Sequence, residues 1–197
     1  MSAAVAIVIG YLLGSCPFGY WAGRLRGVDL REHGSGNTGG TNAVRVLGPR
    51  IGITVIVLDV LKGTAAVLVG AALGGTGTMV LAGAAAVAGH LYPLFLGFRG
   101  GKAVATGAGV LIALVPAIVA GAFVLWLVVA LTTRYVSVAS MTAAVAVAVA
   151  VIATAQPWPV IAFAVGGAAV VVWRHRPNIE RLRTGTEHRV NLRGARS

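Results

Sequence analysis

Three runs of this chain carry no Asp, Glu, Lys or Arg: residues 63–98, 103–133 and 135–173. A helix needs about 20 apolar residues to cross the hydrocarbon core of a bilayer, so each run has room for one or more spans. Inside lipid every backbone N–H and C=O must find a partner within the chain, which leaves helices or closed barrels. The Ala/Val alternation at 143–151 resembles strand patterning. An open strand cannot sit in lipid, so helix is expected there as well. With 57% hydrophobic and 11% charged residues in 197, a separate soluble domain has no place, and one polytopic domain over 1–197 is expected.

The charges that remain are grouped. Fifteen of the sixteen Lys and Arg residues lie at 24–50, 99–102, 134 and 174–196; the exception is Lys62. The net charge of +11 therefore reads as topology, with basic loops held on the cytoplasmic side, and not as nucleic-acid binding. Spans are expected at 3–23, 51–73 and 78–98. The run 103–133 has basic residues at both ends, so it should hold two short spans, broken near Pro116 and Gly121. Spans at 135–156 and 160–173 complete an all-α membrane protein of about seven transmembrane helices. Its N-terminus is out, its C-terminus is in, and its polar loops share the cytoplasmic face. The first apolar run lacks a basic segment before it and reads as a span, not a signal peptide. Cys16 is the single cysteine, so no internal disulfide can form.

Four polar islands interrupt the apolar runs. Residues 34–48, GSGNTGGTNAVRVLG, combine five glycines with Ser35, Asn37, Thr41, Asn42 and Arg45. Glycines let backbone N–H groups turn toward a ligand, and the guanidinium offers a planar fork for phosphate. No Gly-Lys-Ser/Thr ends the stretch, so it is not a Walker A loop. The second island holds His90 and then Gly100-Gly101-Lys102, a glycine pair before a lysine that opens a helix, which suits an anion. His90, deep in an apolar run, reads either as a neutral core residue or as a functional one. The third island carries Ser137 and the fourth carries His175, Asn178 and Glu187 among basic residues that could simply anchor headgroups. Asp59 and Lys62, three apart, share a helix face and read as a structural pair. Zinc clusters, carboxylate clusters and a Gly-x-Ser-x-Gly elbow are all missing from the sequence.

Taken together the islands resemble the signature blocks of the membrane-bound bacterial glycerol-3-phosphate acyltransferase family that uses acyl phosphate as donor. The first block is similar to GSGNxGxTNxxRxxG at 34–48, the second to GHxxPxFxxFxGGKxVAT at 89–106, and the tail to HRxNIxRLxxGxE at 175–187. The RYVS patch at 134–137 also fits. Two positions depart from the pattern: Ala103 stands where glycine is usual, and Gly40 where alanine is usual. The resemblance implies transfer of a fatty acyl group from acyl phosphate to the sn-1 hydroxyl of glycerol 3-phosphate. Lysophosphatidate and phosphate are the products, and no cofactor is needed. The His-x-x-x-x-Asp pattern of the other acyltransferase class is absent.

Such a donor is already activated, so the protein's work is placement and charge stabilisation. Arg45, Lys102, His175 and Asn178 are the expected catalytic residues. Ser35, Gly36, Asn37, Thr41, Asn42, His90, Gly100, Gly101, Ser137 and Glu187 are the expected substrate-binding residues. Either His175 or the leaving phosphate would accept the glycerol proton. Expected partners are the two substrates, membrane lipid and a soluble enzyme that makes acyl phosphate; the expected location is the bacterial plasma membrane. The rival readings are a phosphate or organophosphate transporter and a lipid-sensing membrane protein that binds anionic headgroups.

Overall fold

The computed structural model describes residues 2–190; Met1 and the end of the basic tail, 191–197, lie outside the described residues. The described residues form helices and turns with no strand. The chain divides into two compact units on either side of Pro116.

In the first unit, α1 (Ser2–Ser15) and α2 (Phe18–Arg24) make one apolar run interrupted at Cys16-Pro17. Pro17 lacks the N–H that would continue the ladder. Helix α3 (Gly40–Leu47) follows the glycine-rich loop, and α4 (Pro49–Leu73) starts with proline in its first turn, where no N–H is needed. Helix α5 (Thr76–Leu91) leads through a 3-10 turn (Leu94–Leu96) to α6 (Val104–Leu114).

Helix α1 packs on α5, and α4 packs on α5 and α6. Small residues make this possible. A Cβ on Gly10 or Gly14 would overlap the Ala82 or Ala86 carbonyl, and one on Gly63 would overlap the Thr106 carbonyl. Without a hydrophobic force between helices in lipid, such close approach is what holds them. The buried residues are correspondingly small, among them Ala6, Ala66, Ala82 and Ala86, while Val8, Leu68 and Leu81 point outward.

The second unit contains α7 (Pro116–Thr133), α8 (Val136–Ala153), α9 (Trp158–Arg174) and α10 (Arg176–Arg183). Helices α8 and α9 pack together, and α9 meets α10 at a 51° bend where Pro177 stands in the first turn of α10. The indole N–H of Trp126 donates to Ser140 Oγ at 3.2 Å and ties α7 to α8.

Each expected apolar run is helical, including the Ala/Val stretch inside α8. Among the described residues five helices are long and apolar enough to cross a membrane, six if the bent α9–α10 pair counts as one. Helix α6, with eleven residues, is about 17 Å long, short of the ~30 Å hydrocarbon core. The long run 103–133 breaks at Val115-Pro116 as expected, but not at Gly121, which lies inside α7. Proline removes a donor, whereas glycine keeps its backbone bonds, and lipid enforces them.

Candidate active site

The glycine-rich loop is organised by Asn42, which is 2% exposed. Its Nδ2 donates toward the carbonyls of Leu30, His33 and Asn37 at 3.1, 3.0 and 2.9 Å. Its Oδ1 accepts from Ser35 N at 2.9 Å and from Arg45 Nη1 at 3.2 Å. Both amide hydrogens of Asn42 are thus engaged inside the loop. The residue shapes the loop from within. Asn37 Oδ1 accepts from Gly39 N at 2.8 Å, the side-chain turn that asparagine makes with its own backbone. Gly34 and Gly36 have φ of 62° and 69°, which only glycine adopts without strain, and a Cβ on Gly34 would strike Asn42 Oδ1. Thr38, Gly40 and Asn42 face inward, while Gly36, Thr41 and Arg45 are exposed, with Ser35 and Asn37 half-buried between them. The loop rests on a small core of Leu30, Ala43 and Val55, flanked by Phe18 and Val46.

The second island folds back on the end of α5. Gly100 N donates to Leu91 O and Gly101 N to His90 O, each at 3.1 Å. The glycine amides therefore cap carbonyls that a helix end leaves without partners. A backbone anion cradle was the expectation; here the glycines serve close approach, since a Cβ on Gly100 would overlap the His90 carbonyl. Lys102 is half-buried and stands at the start of α6, after which Ala103 is buried with φ of 58°. The substitution of alanine for glycine there puts an L side chain in the left-handed region.

The two islands meet at a polar pocket of about 340 Å³ lined by Arg31, Glu32, Gly36, Thr38, Arg99 and Gly100. Of these only Gly36 and Gly100 were legible as site residues. Arg31 is held by Asp29 through Nε–Oδ1 at 3.0 Å and Nη2–Oδ2 at 2.6 Å, and its guanidinium lies 4.9 Å from the Tyr20 ring. The hydrogen bonds from Arg31 hold the Asp29 carboxyl down at about 2. Arg99 makes no salt bridge among the described residues.

In the second unit, Glu187 gathers the other expected residues. Its Oε1 accepts from Ser137 Oγ at 2.7 Å and Asn178 Nδ2 at 2.6 Å, and its Oε2 from Arg181 Nε at 2.7 Å. Burial alone would push this carboxyl up; the three donors outweigh it and hold Glu187 below the usual glutamate range. The tail is also pinned by Val190 N donating to Arg134 O at 2.8 Å and by Arg189 Nε donating to Tyr135 OH at 3.0 Å. His175 is 3% exposed, with Nδ1 at 2.7 Å from Val171 O. A carbonyl only accepts, so Nδ1 carries the hydrogen and Nε2 is the basic nitrogen of the neutral ring.

The sequence profile of glycerol-3-phosphate acyltransferase matches residues 4–185. The chain belongs to the glycerol-3-phosphate acyltransferase family. It is 46% identical over 198 residues to the glycerol-3-phosphate acyltransferase of a Synechococcus strain, covering 100% of this chain and 99% of that one. Glycerol-3-phosphate acyltransferase 2 of Moorella thermoacetica is 46% identical over 190 residues, 96% of this chain and 98% of its own. The crystal structure of PlsY, an integral membrane glycerol 3-phosphate acyltransferase in its glycerol 3-phosphate form, superposes with a TM-score of 0.94. The identity is 42%, and 97% of this chain and 96% of PlsY are covered. The lysophosphatidic acid form gives a TM-score of 0.91 at 41% identity. The acyltransferase is a multi-pass membrane protein, all-helical over its described residues.

Within this acyltransferase the sequence-derived residues fall into two groups. Ser35, Gly36, Asn37, Thr41, Asn42, Arg45, His90, Gly100, Gly101 and Lys102 lie in the first unit; Ser137, His175, Asn178 and Glu187 lie in the second. Arg31, Glu32, Thr38 and Arg99 line the polar pocket without a motif that marks them. The nearest signal was Asp29 two residues before Arg31, a spacing that a local ion pair can use.

Proposed function

We propose that the protein transfers a fatty acyl group from acyl phosphate to the sn-1 hydroxyl of glycerol 3-phosphate, the first step of bacterial phospholipid synthesis. The observation that carries this reading is the full-length likeness, at 42% identity, to an acyltransferase solved with glycerol 3-phosphate. The family match spans both units, which supports treating 1–197 as one functional domain. The glycerol oxygen attacks the acyl carbonyl carbon, the bond from that carbon to the phosphate oxygen breaks, and inorganic phosphate departs with the electron pair. The hydroxyl proton passes to His175 Nε2 or to the phosphate.

Arg45 and Lys102 supply charge to the phosphates, with Ser35, Gly36, Asn37 and Thr41 orienting them. Asn42 holds that loop. Glu187 aligns Asn178 and Ser137; Ser137 gives its one hydroxyl hydrogen to Glu187 and so presents its oxygen as an acceptor. Because a carboxylate would itself repel a phosphate, Glu187 works through the groups it holds. The site faces the cytoplasm of a bacterial plasma membrane, with the N-terminus out and the C-terminus in. The clustering of fifteen cationic side chains in four polar segments supports this orientation. A soluble enzyme that makes acyl phosphate is the expected supplier.

The test is direct. Purified protein is given synthetic acyl phosphate and glycerol 3-phosphate, with acyl-CoA in a parallel reaction. Lysophosphatidate formed only from acyl phosphate supports the reading. Uptake of labelled glycerol 3-phosphate into liposomes without acylation would favour a transporter instead.

A further inference from the structure

The charged pair within α4 is unusual for a membrane helix. Asp59 and Lys62 are 2% and 5% exposed, and Lys62 Nζ lies 2.8 Å from Asp59 Oδ1. Lys62 also donates to the Cys16 carbonyl at 2.9 Å, an acceptor left over by the helix break at Pro17. His90 joins them. Its Nδ1 lies 3.0 Å from Thr106 Oγ1 and 3.5 Å from Asp59 Oδ1. Its Nε2 side is covered by Gly101, where a Cβ would overlap the ring. The same residue's carbonyl accepts from Gly101 N. His90 therefore grips the turn twice, once by backbone and once by ring. Nδ1 is thus engaged within the bundle, and Nε2 lies against Gly101.

Buried ions in a membrane bundle are costly, and apolar groups of similar size pack at least as well. What the ions add is a fixed ring. Thr38 of the glycine-rich loop lines both the polar pocket and a small cavity beside Asp59, Lys62 and His90. The network thus stands one residue behind the pocket wall.

We infer that His90, oriented by Asp59 and Thr106, is the seat on which the Gly100–Lys102 turn rests, and so a positioning residue for Lys102 and not a substrate ligand. This rests on the functional reading above, in which Lys102 binds phosphate. Asp59 fixes the ring, and Lys62 holds Asp59.

The test uses the full chain in detergent micelles, titrating glycerol 3-phosphate at saturating acyl phosphate and measuring the thermal midpoint alongside. Gly101→Ala should lower kcat/KM, because its methyl strikes the ring. His90→Ser, which removes the seat, should lower kcat/KM by itself, and on that background Gly101→Ala should cost about tenfold less than it does alone, a coupling normal for residues in contact. Thr106→Val keeps the shape but frees the ring; it should raise KM for glycerol 3-phosphate about threefold or more in protein that still folds. Fully additive losses in the double variant overturn the inference, as does a folded His90→Ser with wild-type kcat/KM. So does a folded Thr106→Val with wild-type KM, which would leave the network purely structural. Wild-type protein that makes no lysophosphatidate from acyl phosphate overturns the functional reading itself, a result separate from additive losses.

Discussion

At the scale of single residues, charge and backbone conformation make different predictions. Arg45→Ala or Lys102→Ala should cut transfer steeply while the protein still inserts and folds. Losing one charge-assisted contact to a developing phosphate costs about 2–4 kcal/mol, roughly 30- to 1,000-fold in rate. Near-wild-type turnover in both variants would remove these residues from the site. His175→Asn separates the two proton acceptors, since an unchanged rate would assign that role to the phosphate. Ala103 gives a stability prediction. It sits at φ of 58° where glycine relieves the strain, so Ala103→Gly should raise the midpoint by the equivalent of about 1 kcal/mol. A lower midpoint in detergent would refute the strain.

At the scale of elements, the C-terminal tail is docked through one carboxylate. Three donors converge on Glu187 and depress its pKa, so the docking contributes stability above the carboxyl's unfolded value. That contribution is lost as pH falls through the lower folded value, a window below about pH 4. Glu187→Gln should therefore melt below wild type at neutral pH, and the gap should narrow on acidification. A gap that is constant with pH would show that the charge is not what anchors the tail. The glycine-rich loop is likewise one cooperative unit. Asn42→Asp places a carboxylate against three carbonyls that now receive a donor, and should cost both stability and activity.

For the whole molecule, helix packing depends on a few glycines and not on glycine content. Gly14 on α1 meets the Ala86 backbone of α5, whereas Gly166 on α9 faces open space. Gly14→Val should sharply lower the yield of monodisperse protein in detergent, and Gly166→Ala should leave it unchanged. Equal yields would mean that these close approaches do not hold the bundle. The two glycines look alike in sequence, because each sits in an uncharged, apolar run.

The long apolar runs pointed to a membrane protein helical throughout its described residues, since lipid offers an open strand's backbone no partner and each run exceeds a barrel strand's length. The resemblance of the islands to one family's signature blocks pointed to that family, and with it to Arg45, Lys102, His175 and Asn178 as the residues to test. Tertiary structure decided what those patterns could not encode. Asn42 became the hub of its loop because five of its hydrogen bonds are to atoms brought near by folding. Gly100 and Gly101 turned out to cap α5, because the carbonyls they satisfy lie nine or more residues earlier. Arg31 and Arg99 came to share a pocket for the same reason. Side chains distant in sequence meet only through helix packing, and that packing is set by which small residues face each other.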